Sequence, residues 1–330
     1  MSVKFVNKVS AKVPEQVKQS VSVVVPTYYR PEDLVLCLKA LEAQRRMPDQ
    51  VIVTVRPEDA VSVERLALFK ENTGLPLQVV LVETPGLVAA LNAGLKKAEG
   101  TIVCFTDDDA RPHPDWLERI VQHYSDPQVG AVGGRDMVYT GGQLEDGLVT
   151  RVGKLNWFGR RTGNHHLELK GGQPVEVFTL KGVNSSYRRQ LMGQFDANLR
   201  GLPELANEDE MGLRVRKQGY RMIYDPKILV DHFPSHKRPD ARGSRAVFDR
   251  VQVYNVNHNY TYVLFKHLSP WNRFFFLLYN FLIGDSPNMA LVRALYGFAR
   301  TANWGYLQIL PAAYAGKLAG IKTYFRQRVK

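Results

Sequence analysis

Between Val21 and Thr106 one rhythm leaves few folds open. Short β-branched apolar runs, VSVVVPTYY (21–29), VIVTV (51–55), LQVVLVET (77–84) and TIVCFT (101–106), are separated by stretches of helix length. A strand apolar at consecutive positions is buried on both faces, the condition of a parallel sheet covered by helices. Between the first two runs, PEDLVLCLKALEAQ sets Leu34, Cys37, Leu38 and Leu41 on one helical stripe with Pro31 at the first turn. ERLALFKENTG and GLVAALNAGLKKAEG read as further helices, closed by Gly74 and Gly100. The alternation predicts an α/β fold, a doubly wound and mostly parallel sheet flanked by helices.

Such sheets bind ligands beyond the carboxyl ends of their strands. Pro26-Thr27, Arg56 and the stretch CFTDDDARPHPDW (104–116) all fall there. Asp107, Asp108 and Asp109 repel one another and need a neutralising partner. A hard cation, Mg²⁺ or Mn²⁺, takes oxygen ligands and bridges carboxylates to phosphates. Asp107 and Asp109, one residue apart, can face one ion while Asp108 turns to a neighbouring group. The competing explanation is a helix start at PHPDWLERI, where acids are favoured. It accounts for one acid or two, not three.

After Asp126 the texture changes to a glycine-rich polar stretch that runs through VEVFTLKGVNSS, then a charged helix around NEDEMGLRVRKQ, then YRMIYDPKILVDHF and a basic linker, PSHKRPDARGSR. The expected organisation is a flexible lead-in (1–19), a folded domain (20–235) and a basic aromatic helical extension (236–330). With 330 residues, 45% of them hydrophobic, the chain can bury a sizeable core. Cys37 and Cys104 both fall in apolar patterns and suit reduced core residues. The first residues lack the apolar core of a signal peptide, so the expected location is the cytoplasm, or the cytoplasmic face of a membrane as a peripheral protein.

Four motifs in order, VSVVVPTYYRPEDLVLCLKALEAQ, PGLVAALNAGLKKAEGTIVCFTDDDARPHPDWLERIV, GVNSSYRRQ and NEDEMGLRVRKQGYRMIYDPKILVDHF, resemble the inverting glycosyltransferases of family two, with the GT-A fold. The resemblance covers about residues 20–235 and implies that this span is the catalytic domain, with 20–126 the nucleotide-binding half and 127–235 the acceptor half. It implies a nucleotide-sugar donor and metal-assisted transfer with inversion to a saccharide or lipid-linked saccharide in polysaccharide or glycolipid synthesis. The family's Pro-Thr loop corresponds to Pro26 and Thr27, under base and ribose, with Arg30 close behind. Its glycine and asparagine before the acidic motif correspond to Gly86 and Asn92. Asp107 and Asp108 would then meet ribose or sugar, Asp107 and Asp109 the metal, and His232 would complete the metal site. Relatives often carry an acidic base-recognition loop after the second strand; here VTVRPEDA offers Arg56 instead, which leaves the donor base open.

The acceptor hydroxyl needs a base. The family's Glu-Asp pair selects Asp209, whereas the spacing to the helix arginine, Arg214, selects Glu208, and both stay in play. The bland alternative is an acidic first turn of Glu208, Asp209 and Glu210 opposite the helix dipole. In GVNSSYRRQ, Asn184 and Ser185 are small polar groups able to meet the acceptor, with a plain turn as the alternative, and Arg188 and Arg189 could meet phosphate.

From Val251 onward nine Lys and Arg face a single acid, Asp285, so most of the net charge of +12 lies in the last quarter, among aromatics such as WNRFFFLLYNFLIG. That run is too short to span a bilayer. It suits either a membrane surface reached through 251–330 or packing on the catalytic domain or a second subunit, a homo-oligomer. Nucleic acid is not an expected partner, since the cations are dispersed among large apolar residues. Two other functions compete: a nucleotidyltransferase, and a non-catalytic sugar- or lipid-binding protein on the same fold.

Overall fold

The computed structural model describes residues 19–201, 204–234, 249–285 and 288–328. The lead-in up to Lys18 and nearly all of the basic linker lie outside them. The predicted rhythm is present: β1 (Val21–Pro26), α1 (Pro31–Glu42), β2 (Gln50–Val55), α2 (Ala60–Glu71), β3 (Leu77–Leu81), α3 (Leu87–Lys97) and β4 (Ile102–Phe105) follow one another. β1 pairs in parallel with β2 on one side and β4 on the other, and β2 carries β3. The chain therefore reverses its direction of travel across the sheet between β1 and β4, which opens a crevice at their carboxyl ends.

Alternation along each strand divides the core. Val23, Val25, Val51, Val53 and Cys104 face the layer of α1 and α2, where Leu34, Cys37, Leu38 and Leu41 are all buried. Val24, Ile52, Val103 and Phe105 face the opposite layer, with Val88 and Leu91 of α3. Burial on both faces is why these strands read as unbroken apolar runs.

The second half of the sheet is mixed. After β5 (Ala110–Pro112), α4 (Trp116–His123) and β6 (Val129–Thr140), strand Ser185–Arg188 inserts antiparallel between β4 and β6. Strand Arg221–His232 then runs parallel to β6 and antiparallel to β5, with a register shift between Asp225 and Leu229. α4 begins at Trp116, preceded by Asp115, so the three consecutive aspartates are not its cap.

Helices Arg250–His267, Pro270–Leu278, Leu291–Thr301 and Leu310–Arg328 form the C-terminal extension. The first and last meet at Gly316 and Gly320: a β-carbon on Gly320 would lie 2.5 Å from the His258 carbonyl, and one on Gly316 would collide with that of Tyr254. No helix among the described residues is long and apolar enough to cross a membrane.

Candidate active site

The crevice collects the acidic motif and its partners. Thr27, just past β1, donates from Oγ1 to Asp108 Oδ2 at 2.7 Å. Arg30, the residue before α1, forks its guanidinium onto Asp108 Oδ1 (2.5 Å) and onto Asp109. Asp108, fully buried, is thus the carboxylate turned inward. Burial pushes its carboxyl up, with Arg30 and Thr27 opposing. Asp107 is also pushed up, by burial and then by Asp109.

His232 reaches the motif through strand register. It stands opposite Ala110 in the antiparallel pairing, so its Nε2 lies 3.4 Å from Asp109 Oδ1. Its Nδ1 is 2.8 Å from Asp136 Oδ1, and the other oxygen of Asp136 is 2.9 Å from His166 Nδ1. Asp136 is 1% exposed; burial alone would raise its carboxyl, but the two imidazoles outweigh burial and hold it well below the carboxylate range. Burial would lower His232, yet Asp109 and Asp136 raise it to about 10.

Asp107, Asp109 and His232 each offer a ligand atom, all within 4.8 Å of one another. Two carboxylate oxygens and one imidazole nitrogen form a donor set that suits Mn²⁺ or Mg²⁺. Asp136 holds the far nitrogen of the histidine, as partners of metal-binding histidines do. These residues fit a divalent cation.

Helix Asn207–Lys217 supplies the opposite side. Its approach passes through Ala206 in a left-handed conformation (φ 73°), which turns Glu208 and Asp209 into a cavity of about 490 Å³. Lys181 and Arg161 line the same cavity, and its far wall is extension: Gln252, Val256, Tyr260, Met289 and Ile309. Asp209 is ion-paired with Arg161. Glu208 accepts from the backbone of Gly182, and burial raises its carboxyl, offset in part by Lys181. Glu208 is near enough to raise Asp107 in turn.

Other residues singled out from sequence are spent inside the protein. Asn184 accepts from Trp116 Nε1 at 2.9 Å and donates to the carbonyls of Arg135 and Ile228, both at 3.0 Å, with no exposed surface. Ser185 donates to Gly182 O at 3.3 Å. Asn92 clasps the backbone of Phe195 in both directions, at 3.0 and 2.7 Å. Gly86 opens α3 at φ 119° and lies against Glu204, whose carboxylate accepts from the backbone N–H of Leu87 at 2.9 Å. Arg56 pairs with Glu58 at 2.5 Å on the rim beyond β2. Arg188 and Arg189 bond to backbone carbonyls rather than facing the crevice. Sequence alone missed Asp136, His166, Arg161 and Lys181. His166 sits in a visible His-His pair, but nothing local joins it to Asp136 or to His232, which is 66 residues farther along.

A family profile described as Glycosyl transferase family 2 matches residues 22–193, the span that holds β1 to β4, the acidic motif and Ser185–Arg188. The chain belongs to glycosyltransferase family 2. Glycosyltransferase AglE of Haloferax volcanii is 32% identical over 116 residues, 34% of this chain and 38% of that protein. The glucosyl-dolichyl phosphate glucuronosyltransferase of the same organism is 28% identical over 225 residues, 64% of this chain and 68% of its own. The transferase therefore spans well under half of the first relative and about two thirds of the second. Among solved structures, TarS 1-349 of S. aureus, in complex with UDP-GlcNAc, aligns over 93% of this chain and 92% of its own, with 16% identity and a TM-score of 0.55. GalNAc-T7 with UDP, GalNAc and Mn²⁺ aligns over 80% of this chain and 50% of its own, with 15% identity and a TM-score of 0.60. The likeness establishes the fold of the transferase, GT-A.

Proposed function

We propose that this family 2 glycosyltransferase moves a hexose, with inversion, from a nucleoside diphosphate sugar to a saccharide or lipid-linked saccharide, with Mg²⁺ or Mn²⁺ assisting. The observation that carries the proposal is the closeness of the Asp107, Asp109 and His232 cluster to Glu208, which itself lines a cavity able to hold an acceptor. The named partners of the structural neighbours, UDP-GlcNAc for TarS and UDP with Mn²⁺ for GalNAc-T7, support the donor class.

In this mechanism Asp107, Asp109 and His232 hold the cation. When bound, it supplies Lewis-acid stabilisation of the charge that develops on the leaving diphosphate. Thr27 and Arg30 hold Asp108 and Asp109 in place, and in this reading Pro26 and Thr27 would lie beneath the nucleoside. Glu208 takes the proton of the attacking hydroxyl: burial raises its carboxyl, which makes it a stronger proton acceptor. Asp209, tied to Arg161, orients that side chain and the cavity wall instead. Acceptor contacts fall to the cavity residues Arg161 and Lys181 rather than to Asn184 and Ser185, neither of which lines the cavity. The proposed division of labour is donor binding in 20–126, acceptor binding in 127–235 and an acceptor wall from the extension, in the cytoplasm or at its membrane face.

Calorimetric titration with a panel of nucleoside diphosphates, with and without Mn²⁺, tests the donor half. One nucleotide should bind only with the metal, and its base names the donor. Binding of none, or metal-independent binding that survives Asp109→Asn, would remove the metal assignment. The anomeric configuration of the product, read by NMR, tests inversion.

A further inference from the structure

Ten of the 21 exposed large apolar side chains among the described residues lie between Trp271 and Trp304, about a tenth of the chain. They are not scattered. On helix Pro270–Leu278 and the turn after it, Trp271, Phe274, Leu278 and Leu282 follow at helical spacing and face outward, while Phe276 points inward and is buried. On helix Leu291–Thr301 the outward positions are Leu291, Val292, Leu295 and Tyr296, and the inward ones Ala294 and Gly297. Both helices thus show solvent the face that a surface helix ordinarily hides. Trp271 is 71% exposed and Trp304 63%.

The two faces form one platform. Tyr314 accepts from the backbone N–H of Leu291 (3.2 Å) and donates to the Phe281 carbonyl (2.8 Å), which pins the start of one helix to the end of the other. Beneath them Lys317, with no exposed surface, donates to the carbonyls of Asn280 (2.5 Å) and Met289 (2.6 Å). An apolar patch held this firmly marks an interaction surface.

Charge selects the occupant. Arg293 lies 5.6 Å from the ring of Tyr296, and Arg300 donates to the hydroxyl of that tyrosine at 3.4 Å, so both cations border the apolar face. From Val251 onward the sequence carries nine cations and one acid, and the chain a net charge of +12. A second copy of the chain would bring these like charges together, whereas an anionic lipid surface neutralises them. Aromatic and aliphatic side chains bordered by arginine are the composition of helices that lie in the interface of a bilayer without crossing it.

We infer that the surface from Trp271 to Trp304 docks this enzyme on an anionic phospholipid bilayer. The inner side of the same segment, through Met289, together with Ile309 just beyond it, walls the cavity beside Glu208. Docking therefore holds that cavity against the bilayer and favours an acceptor whose saccharide is carried on a membrane lipid, a consequence that rests on the acceptor assignment above. Docking itself does not.

The test is flotation of the full chain with phosphatidylcholine vesicles, with and without phosphatidylglycerol, compared with the double variant Leu278→Glu, Leu295→Glu. The wild type should float with the anionic vesicles and remain behind with the neutral ones. The double variant should lose at least ~10-fold in binding while keeping its melting temperature and its nucleotide titration. Arg293→Glu with Arg300→Glu should weaken binding to anionic vesicles alone. Equal flotation of wild type and the Leu variant overturns the proposal. So does an absence of flotation accompanied by a dimer, in sedimentation velocity, that the same substitutions disperse, since a second copy would then cover the face. Vesicle binding reads no turnover, so failure here leaves the transfer reaction standing, and loss of turnover leaves docking standing.

Discussion

Asp136→Asn isolates the group that orients the candidate metal site without touching a ligand atom. Asp136 is buried at 1% exposure and divides its two oxygens between His232 at 2.8 Å and His166 at 2.9 Å. Asparagine keeps the shape but offers one acceptor and one donor, so one imidazole meets an N–H where it had an oxygen. His232 also loses one of the two carboxylates that raise it. Loss of such an orienting partner costs 10–100-fold in metal affinity, about 1.4–2.7 kcal/mol. Breaking a buried charge pair costs ~3–5 kcal/mol of folding stability. Mn²⁺ titration in the presence of the cognate nucleoside diphosphate reads the first figure and denaturant unfolding the second. Mn²⁺ affinity within twofold of wild type would refute the orienting role, whatever the stability.

Glu208→Gln should lower turnover by ~10²–10⁴ while leaving metal-dependent nucleotide binding intact, and Asp209→Asn should cost less; the reverse order in steady-state rates would move the base to Asp209. In chelator-treated protein His232 stabilises the fold through a raised pKa, so its contribution is complete below ~6.5 and fades as pH rises towards about 10. The difference in unfolding free energy between wild type and His232→Gln should shrink across that window, by at most roughly 5 kcal/mol; a flat difference would contradict the shift. Gly320→Val should destabilise by ~1–3 kcal/mol or more, because its β-carbon would sit 2.5 Å from the His258 carbonyl. An unchanged melting temperature would mean that the two helices are not in backbone contact.

What the sequence disclosed and what it hid divide along sequence distance. Leu34, Cys37, Leu38 and Leu41 declared one helix face within eight residues, and all four are buried. The doubly apolar runs declared strands covered on both sides, and the alternation that joined them placed Thr27 and the aspartates at one end of the sheet. Nothing local declared that Ser185–Arg188 would run antiparallel between β4 and β6, since the residues opposite Ser185, Phe105 and Gly133, lie 80 and 52 positions back along the chain. Asp136 was hidden for the same reason: its partners come from a loop 30 residues on and a strand 96 residues on, brought together by register alone. Asn184, which the sequence offers as a small polar group able to meet the acceptor, is a buried crosslink whose three partners lie 44 to 68 residues away.

The close approach of helices Arg250–His267 and Leu310–Arg328 at Gly316 and Gly320 has a consequence for how such a chain diversifies. The two helices bracket residues 268–309 as the jaws of a clip bracket a card, and that card carries Met289 and Ile309 on one side and the Leu291, Leu295 and Tyr296 face on the other. On the assignments proposed above, acceptor preference and membrane preference lie on the two sides of one segment, apart from the strands that form the crevice between β1 and β4.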